Sequence, residues 1–129
     1  MVLKTKSVHS PIDDADGLRI LATRFRGRGL PASRYDAWMP SLGPSEQLLK
    51  AVLSGRIDWK TFAKRYREEL YLDGPIDARS ATIKNHGQKS TLRLLKVLSL
   101  KHDVTLMCHC AEDATRCHRF LLAKEIEKV

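Results

Sequence analysis

No run in this chain approaches the roughly 20 consecutive apolar residues that a membrane-spanning helix needs, so no membrane partner is expected. Nor does the start read as a secretory signal. Met1-Val-Leu-Lys-Thr-Lys leads into His9 and Pro11, not into an apolar run with a small-residue cleavage site. Cysteine is scarce: there are three, all crowded between positions 108 and 117. An odd number so placed is not a secreted disulfide framework, and the expected setting is the cytoplasm, with reduced thiols. Aromatic residues make up only 6%, so aliphatic side chains must fill the core, and 43% hydrophobic residues can do so without a metal or cofactor. Acidic residues are in deficit, 15 against 23 basic ones, which leaves a formal charge of +8. That balance favours anionic partners: a small phosphorylated compound, a nucleotide or nucleic acid. The plainer explanation is a basic surface that resists aggregation. With no repeat, low-complexity tract or linker in 129 residues, a single domain over 1–129 is expected.

Along the chain, Leu3 to His9 alternates enough to read as a first strand, and Gly17 to Phe25 as a stronger, aliphatic second one. If the extended conformation continues, Arg24, Arg26 and Arg28 share one face, either for phosphate contact or as a solvated edge. The middle reads as helical. Pro44, Ser45 and Glu46 open a helix that Gly55 stops, and Asp58 caps another with Trp59, Phe62, Ala63, Tyr66 and Leu70 at helical spacing. A short helix from Asp77 is expected, then one carrying Leu92, Leu95 and Leu98. A strand from Val104 and a last helix with Leu121, Leu122 and Ile126 complete the chain. This order predicts an α/β domain with a short, mainly parallel sheet flanked by helices. The strands near Ile20 and Val104 should be central neighbours. Ligands of such sheets gather beyond the carboxyl ends of the strands, so the loops after Phe25 and Met107 should open on one edge.

The chemistry is concentrated in the segment from Cys108-His-Cys110 to Cys117-His-Arg119, a strand, tight loop and helix start. Helix N-termini suit anions and reactive thiols. Cys110 to Arg116 has the spacing of a cysteine phosphatase loop, but it lacks the glycine such a loop needs and places Glu112 and Asp113 against the phosphate. Cys108, Cys110, Cys117 and His118 offer four metal ligands. Their C-x-C spacing suits shared tetrahedral coordination poorly, burial alone explains Cys108, and no metal is expected. His118 reads equally well as a hydrogen-bonded structural residue. Tyr35, Trp38, Trp59 and Tyr66 could stack bases, but their spacing favours core packing.

These residues together resemble one family across nearly the whole chain, the bacterial and archaeal domain of unknown function number 488. Its Asp-Arg-x-x-Pro-Arg-Gly segment is matched by Arg24, Arg28 and Gly29, with Thr23 and Gly27 in place of Asp and Pro. Trp38, Gly43-Pro44-Ser45 and Leu48 follow its next positions, and Phe62, Arg65, Tyr66, Glu69 and Leu70 its Phe-x-x-Arg-Tyr-x-x-Glu-Leu run. Cys110-Ala-Glu112 and Cys117-His-Arg119 resemble its C-terminal signature, across a shortened loop. The resemblance implies that Arg24, Arg28, Glu69, Cys110, His118 and Arg119 form one site, and it implies no reaction.

The leading expectation is a small anion or nucleotide-phosphate pocket. Arg24, Arg28, Glu69 and Arg119 would bind the ligand, with Cys110 as nucleophile or redox thiol and His118 as its proton partner. The alternatives are a non-catalytic nucleic-acid-binding module and a metal-stabilised interaction domain.

Overall fold

A computed structural model describes residues 2–71, 74, 75, 84, 85 and 87–129, with side chains described for 2–71 and 89–129. The sheet is built from the segments the apolar pattern marks. Strands β1 (Leu3–Ser7), β2 (Leu18–Leu21) and β3 (Ala37–Trp38) precede helices α1 (Glu46–Leu53) and α2 (Trp59–Leu70). A two-residue antiparallel pair follows, β4 (Gly74–Pro75) with β5 (Lys84–Asn85). Helix α3 (Gly87–Lys101), strand β6 (Val104–Cys108) and helix α4 (His118–Lys128) complete the order. The helix expected from Asp77 lies outside the described residues.

The four-stranded sheet runs β1-β6-β2-β3, with every pairing parallel. The last strand in sequence is therefore central, with Leu106 beside Thr5 on one side and Ile20 on the other. All five β6 residues are buried, as their continuous apolar run predicts for a strand covered on both faces. Its alternate side chains divide the interior in two. Val104 and Leu106 join Ile20, Ala22 and residues of all four helices in the main core, including Leu48, Phe62, Tyr66, Leu95 and Leu122. Met107 and Leu21 face the other way, where Val8 and Leu30 close over them. One face is thus covered by helices, the other by the segments that follow β1 and β2. Each fully buried aliphatic side chain contributes about 1.5–3 kcal/mol.

β2 is shorter than the sequence suggests, and the arginines that follow it share no strand face. Gly27 (φ +93°) and Gly29 (φ +79°) break the extended run. Arg24 turns to the carbonyls of Gly43 and Pro44, and Arg26 to Tyr35 and the Leu30 carbonyl, while Arg28 is exposed. No described helix is long and apolar enough to cross a membrane.

Candidate functional site

Strand β6 delivers Cys108 to the helix-facing side of the sheet, two residues beyond Leu106, at the carboxyl edge. The chain then loops through 109–116 and returns as α4, whose N-cap is Cys117. The Cys117 side chain makes no capping hydrogen bond, so its sulfur is left to face the strand. Its Sγ lies 2.9 Å from Cys108 Sγ, and with Cys110 the three sulfurs lie within 4.8 Å of one another. Cys108 and Cys117 are buried; Cys110 is half-buried.

Arg119 closes the loop from inside. Its guanidinium is completely buried. Nη1 donates to Cys108 Sγ (3.0 Å) and to the Cys110 carbonyl (3.4 Å), and Nη2 donates to the carbonyls of Ala111 and Glu112 (3.1 Å each). Its Nε is buried without a partner. An arginine always carries its charge, and burying a charge demands compensation. The Glu112 carboxylate lies 3.7 Å away on a largely exposed side chain, and the sulfur cluster is in direct contact. Carbonyls of residues 110–112 all point inward at this cation. A phosphate-binding loop points its N–H groups inward, so this loop has the opposite polarity and Arg116 remains exposed.

The three thiols titrate as a unit. Cys110 gives up its proton most readily. Hydrogen bonds from the Cys108 and Cys117 thiols hold its sulfur as the anion, and the Arg119 guanidinium adds to the effect against the opposing cost of burial. Cys108 is pushed up chiefly by donating to Cys110, with the bond it accepts from Cys117 working against that and burial adding to it. Cys117 is pushed up chiefly by donating to Cys108, then to Cys110, with burial adding to it. The positive end of α4 favours the anion as well. His118 is held neutral by burial. Its Nε2 donates to the Ala22 carbonyl at 2.6 Å, since a carbonyl can only accept. Nδ1 is therefore the unprotonated nitrogen, and it faces Cys117 Sγ at 3.9 Å, not Cys110 directly.

Cys110, His118 and Arg119 lie together, while Arg24 and Glu69 make their hydrogen bonds to the turn ahead of α1. Arg24 bonds the Gly43 and Pro44 carbonyls (2.8 and 3.2 Å), while Glu69 accepts from Ser45 N (2.8 Å) and from the Ser45 hydroxyl. Both side chains grip the turn ahead of α1. Tyr66 stands between the two groups. Its hydroxyl donates to the Leu42 carbonyl, and its ring meets His118 edge-on at 5.8 Å. Arg28 lies in a shallow cavity of about 340 Å³ with His9, Gly27 and His109. The two imidazoles are 5.6 Å apart, and a Cβ at Gly27 would come within 2.6 Å of the His109 ring. Sequence reasoning missed His9 and undervalued His109. The one available signal was the pairing of β1 with β6, which brings the residues following each strand side by side.

A family model described as "Active DUF488-N3 subclade" matches residues 3–129. The chain belongs to the DUF488 family. This DUF488 protein is also similar to one of Escherichia coli K12, "Uncharacterized protein YeaO", with 29% identity over 125 residues covering 95% of each chain. No solved structure matches it.

Proposed function

We propose that this DUF488 protein binds a small phosphorylated compound or nucleotide at the carboxyl edge of its sheet and presents Cys110 to it as a nucleophilic thiolate. The observation that carries the reading is the buried Arg119 guanidinium laid against a sulfur cluster of which Cys110 alone is part-exposed. A fixed cation inside the loop stabilises negative charge on those sulfurs. His118, fixed by its Nε2 bond to the Ala22 carbonyl and with its unprotonated Nδ1 towards Cys117, orients that thiol against the cluster. Arg28, beside His9 and His109, supplies the exposed positive charge for the ligand's anion. Arg24 and Glu69 act as positioning residues, because their polar atoms are committed to the turn at 43–45. The reading suits the reducing cytoplasm, where thiols stay free.

Timed alkylation followed by mass spectrometry tests it. Cys110 should react faster than Cys108 and Cys117, inorganic phosphate or a nucleoside monophosphate should slow it, and Arg28→Ala should abolish that protection. Equal inertness of all three thiols would reduce the cluster to plain packing. Tight nucleic-acid binding with a steep salt slope would favour the binding-module reading instead.

A further inference from the structure

Three sulfurs gather at the edge where β6 meets α4, with His118 Nδ1 3.9 Å from one of them, Cys117 Sγ. The cysteine Sγ atoms lie within 4.8 Å of one another. Tetrahedral zinc, with Zn–S bonds of about 2.3 Å, sets its sulfurs about 3.8 Å apart. The Cys108–Cys117 pair at 2.9 Å therefore has to open by about 1 Å, within the reach of side-chain rotation. Cys108 and Cys110 on one strand end are too close in sequence to build a tetrahedron alone. Cys117 and His118 approach from α4 and supply the missing directions.

Two details of the surroundings fit an ion. The His118 Nε2–H is given to the Ala22 carbonyl, which leaves the Nδ1 lone pair directed towards Cys117. Metal-binding histidines are held in this way, with the far N–H fixed on a backbone carbonyl or carboxylate. The charges also close. Three thiolates around a divalent cation sum to −1, and the buried Arg119 guanidinium, 3.0 Å from Cys108 Sγ, brings the centre to neutrality. Without an anionic centre beside it, that cation with its unpartnered Nε is costly to bury.

We propose that Cys108, Cys110, Cys117 and His118 form a site for zinc(II) whose occupancy masks the Cys110 thiol. The ion enters as the thiol protons leave to solvent. The masking clause rests on the reading of Cys110 as the reactive group; the site itself does not. The main hydrophobic core contains none of the four residues, so the ion controls the site without building the fold.

The test uses reduced, chelator-stripped protein titrated with zinc against a chromophoric competitor, and with cobalt(II) as a spectroscopic probe. One ion per chain is expected, with thiolate-to-cobalt charge transfer and the visible bands of tetrahedral cobalt. Cys108→Ser and Cys117→Ser should each weaken zinc at least about tenfold, and His118→Gln by about tenfold. If a buried variant fails to fold by circular dichroism, the half-buried Cys110→Ser carries the same comparison. Substoichiometric binding, or full affinity in the Cys108→Ser/Cys117→Ser double variant, overturns the site. Cys110 alkylation in the same samples should be fast in the stripped protein and slowed in proportion to occupancy. Fast alkylation without zinc binding would remove this inference and leave the thiolate reading standing. Stoichiometric zinc with an inert Cys110 in the stripped protein would do the reverse.

Discussion

Arg119 is a long cationic side chain with no surface open to water, and its hydrogen bonds run to one sulfur and three consecutive carbonyls. Removing it strands those acceptors in a closed loop. Arg119→Met should lower stability by about 3 kcal/mol, read as a fall in the urea midpoint at unchanged slope. Arg119→Lys should recover only part of the loss, because an ammonium lacks the planar fork that spans several carbonyls. A methionine variant as stable as the parent would show that the loop holds itself closed. The role of this residue was not legible in the sequence. Arginine at a helix start reads as a surface group, and only the folded loop, with its carbonyls turned inward, reveals the cage. Cys110 and His118 were legible as neighbours of the site. The partners of His118 were not, since Ala22 lies 96 positions away.

β1, β2 and β6 are tied together by a second polar centre. Asp16, 5% exposed, accepts from Lys6 Nζ (2.8 Å), Arg19 Nε (3.2 Å) and Asp13 N (3.0 Å), and its carbonyl accepts from Thr105 Oγ1 (2.7 Å). Burial raises the Asp16 carboxyl, but the Lys6 ammonium, the Asp13 N–H and the Arg19 guanidinium together outweigh it and hold it below the usual carboxylate range. A carboxyl depressed on folding adds stability that is fully present above its unfolded pKa, about 3.9, and lost as pH falls through the folded value. Asp16→Asn should therefore be less stable than the parent at pH 7, with the gap narrowing on acidification below about pH 4. Urea midpoints at several pH values check this; a gap that widens in acid would contradict the assignment. Among the elements, β2 and β6 were readable because aliphatic residues dominate them, with Arg19 and Thr105 the single polar positions. The two-residue β3 carries too little pattern to read, and the run after β2 was taken as extended although its glycines permit the left-handed turns actually found.

At the scale of the whole molecule, the sulfur cluster lies at the edge of the sheet while the main core fills the space between sheet and helices. Chelator-stripped protein should remain folded by circular dichroism and melt cooperatively, with zinc raising the melting temperature in step with its occupancy. Outright unfolding on chelation would make the ion part of the fold. The parallel α/β arrangement was legible from the order of elements; the confinement of the helices to one face was not, because Met107 and Leu21 look the same whether a helix or a loop covers them. The order β1-β6-β2-β3 also sets a schedule for biosynthesis. A ribosome releases β1, β2 and β3 before the strand that must lie between the first two. Until Val104–Cys108 emerges, the sheet has no middle and the nascent chain carries no cysteine at all. The C-terminal stretch that supplies the central strand also delivers every thiol, so a chain waiting for that strand has no thiol to oxidise or react.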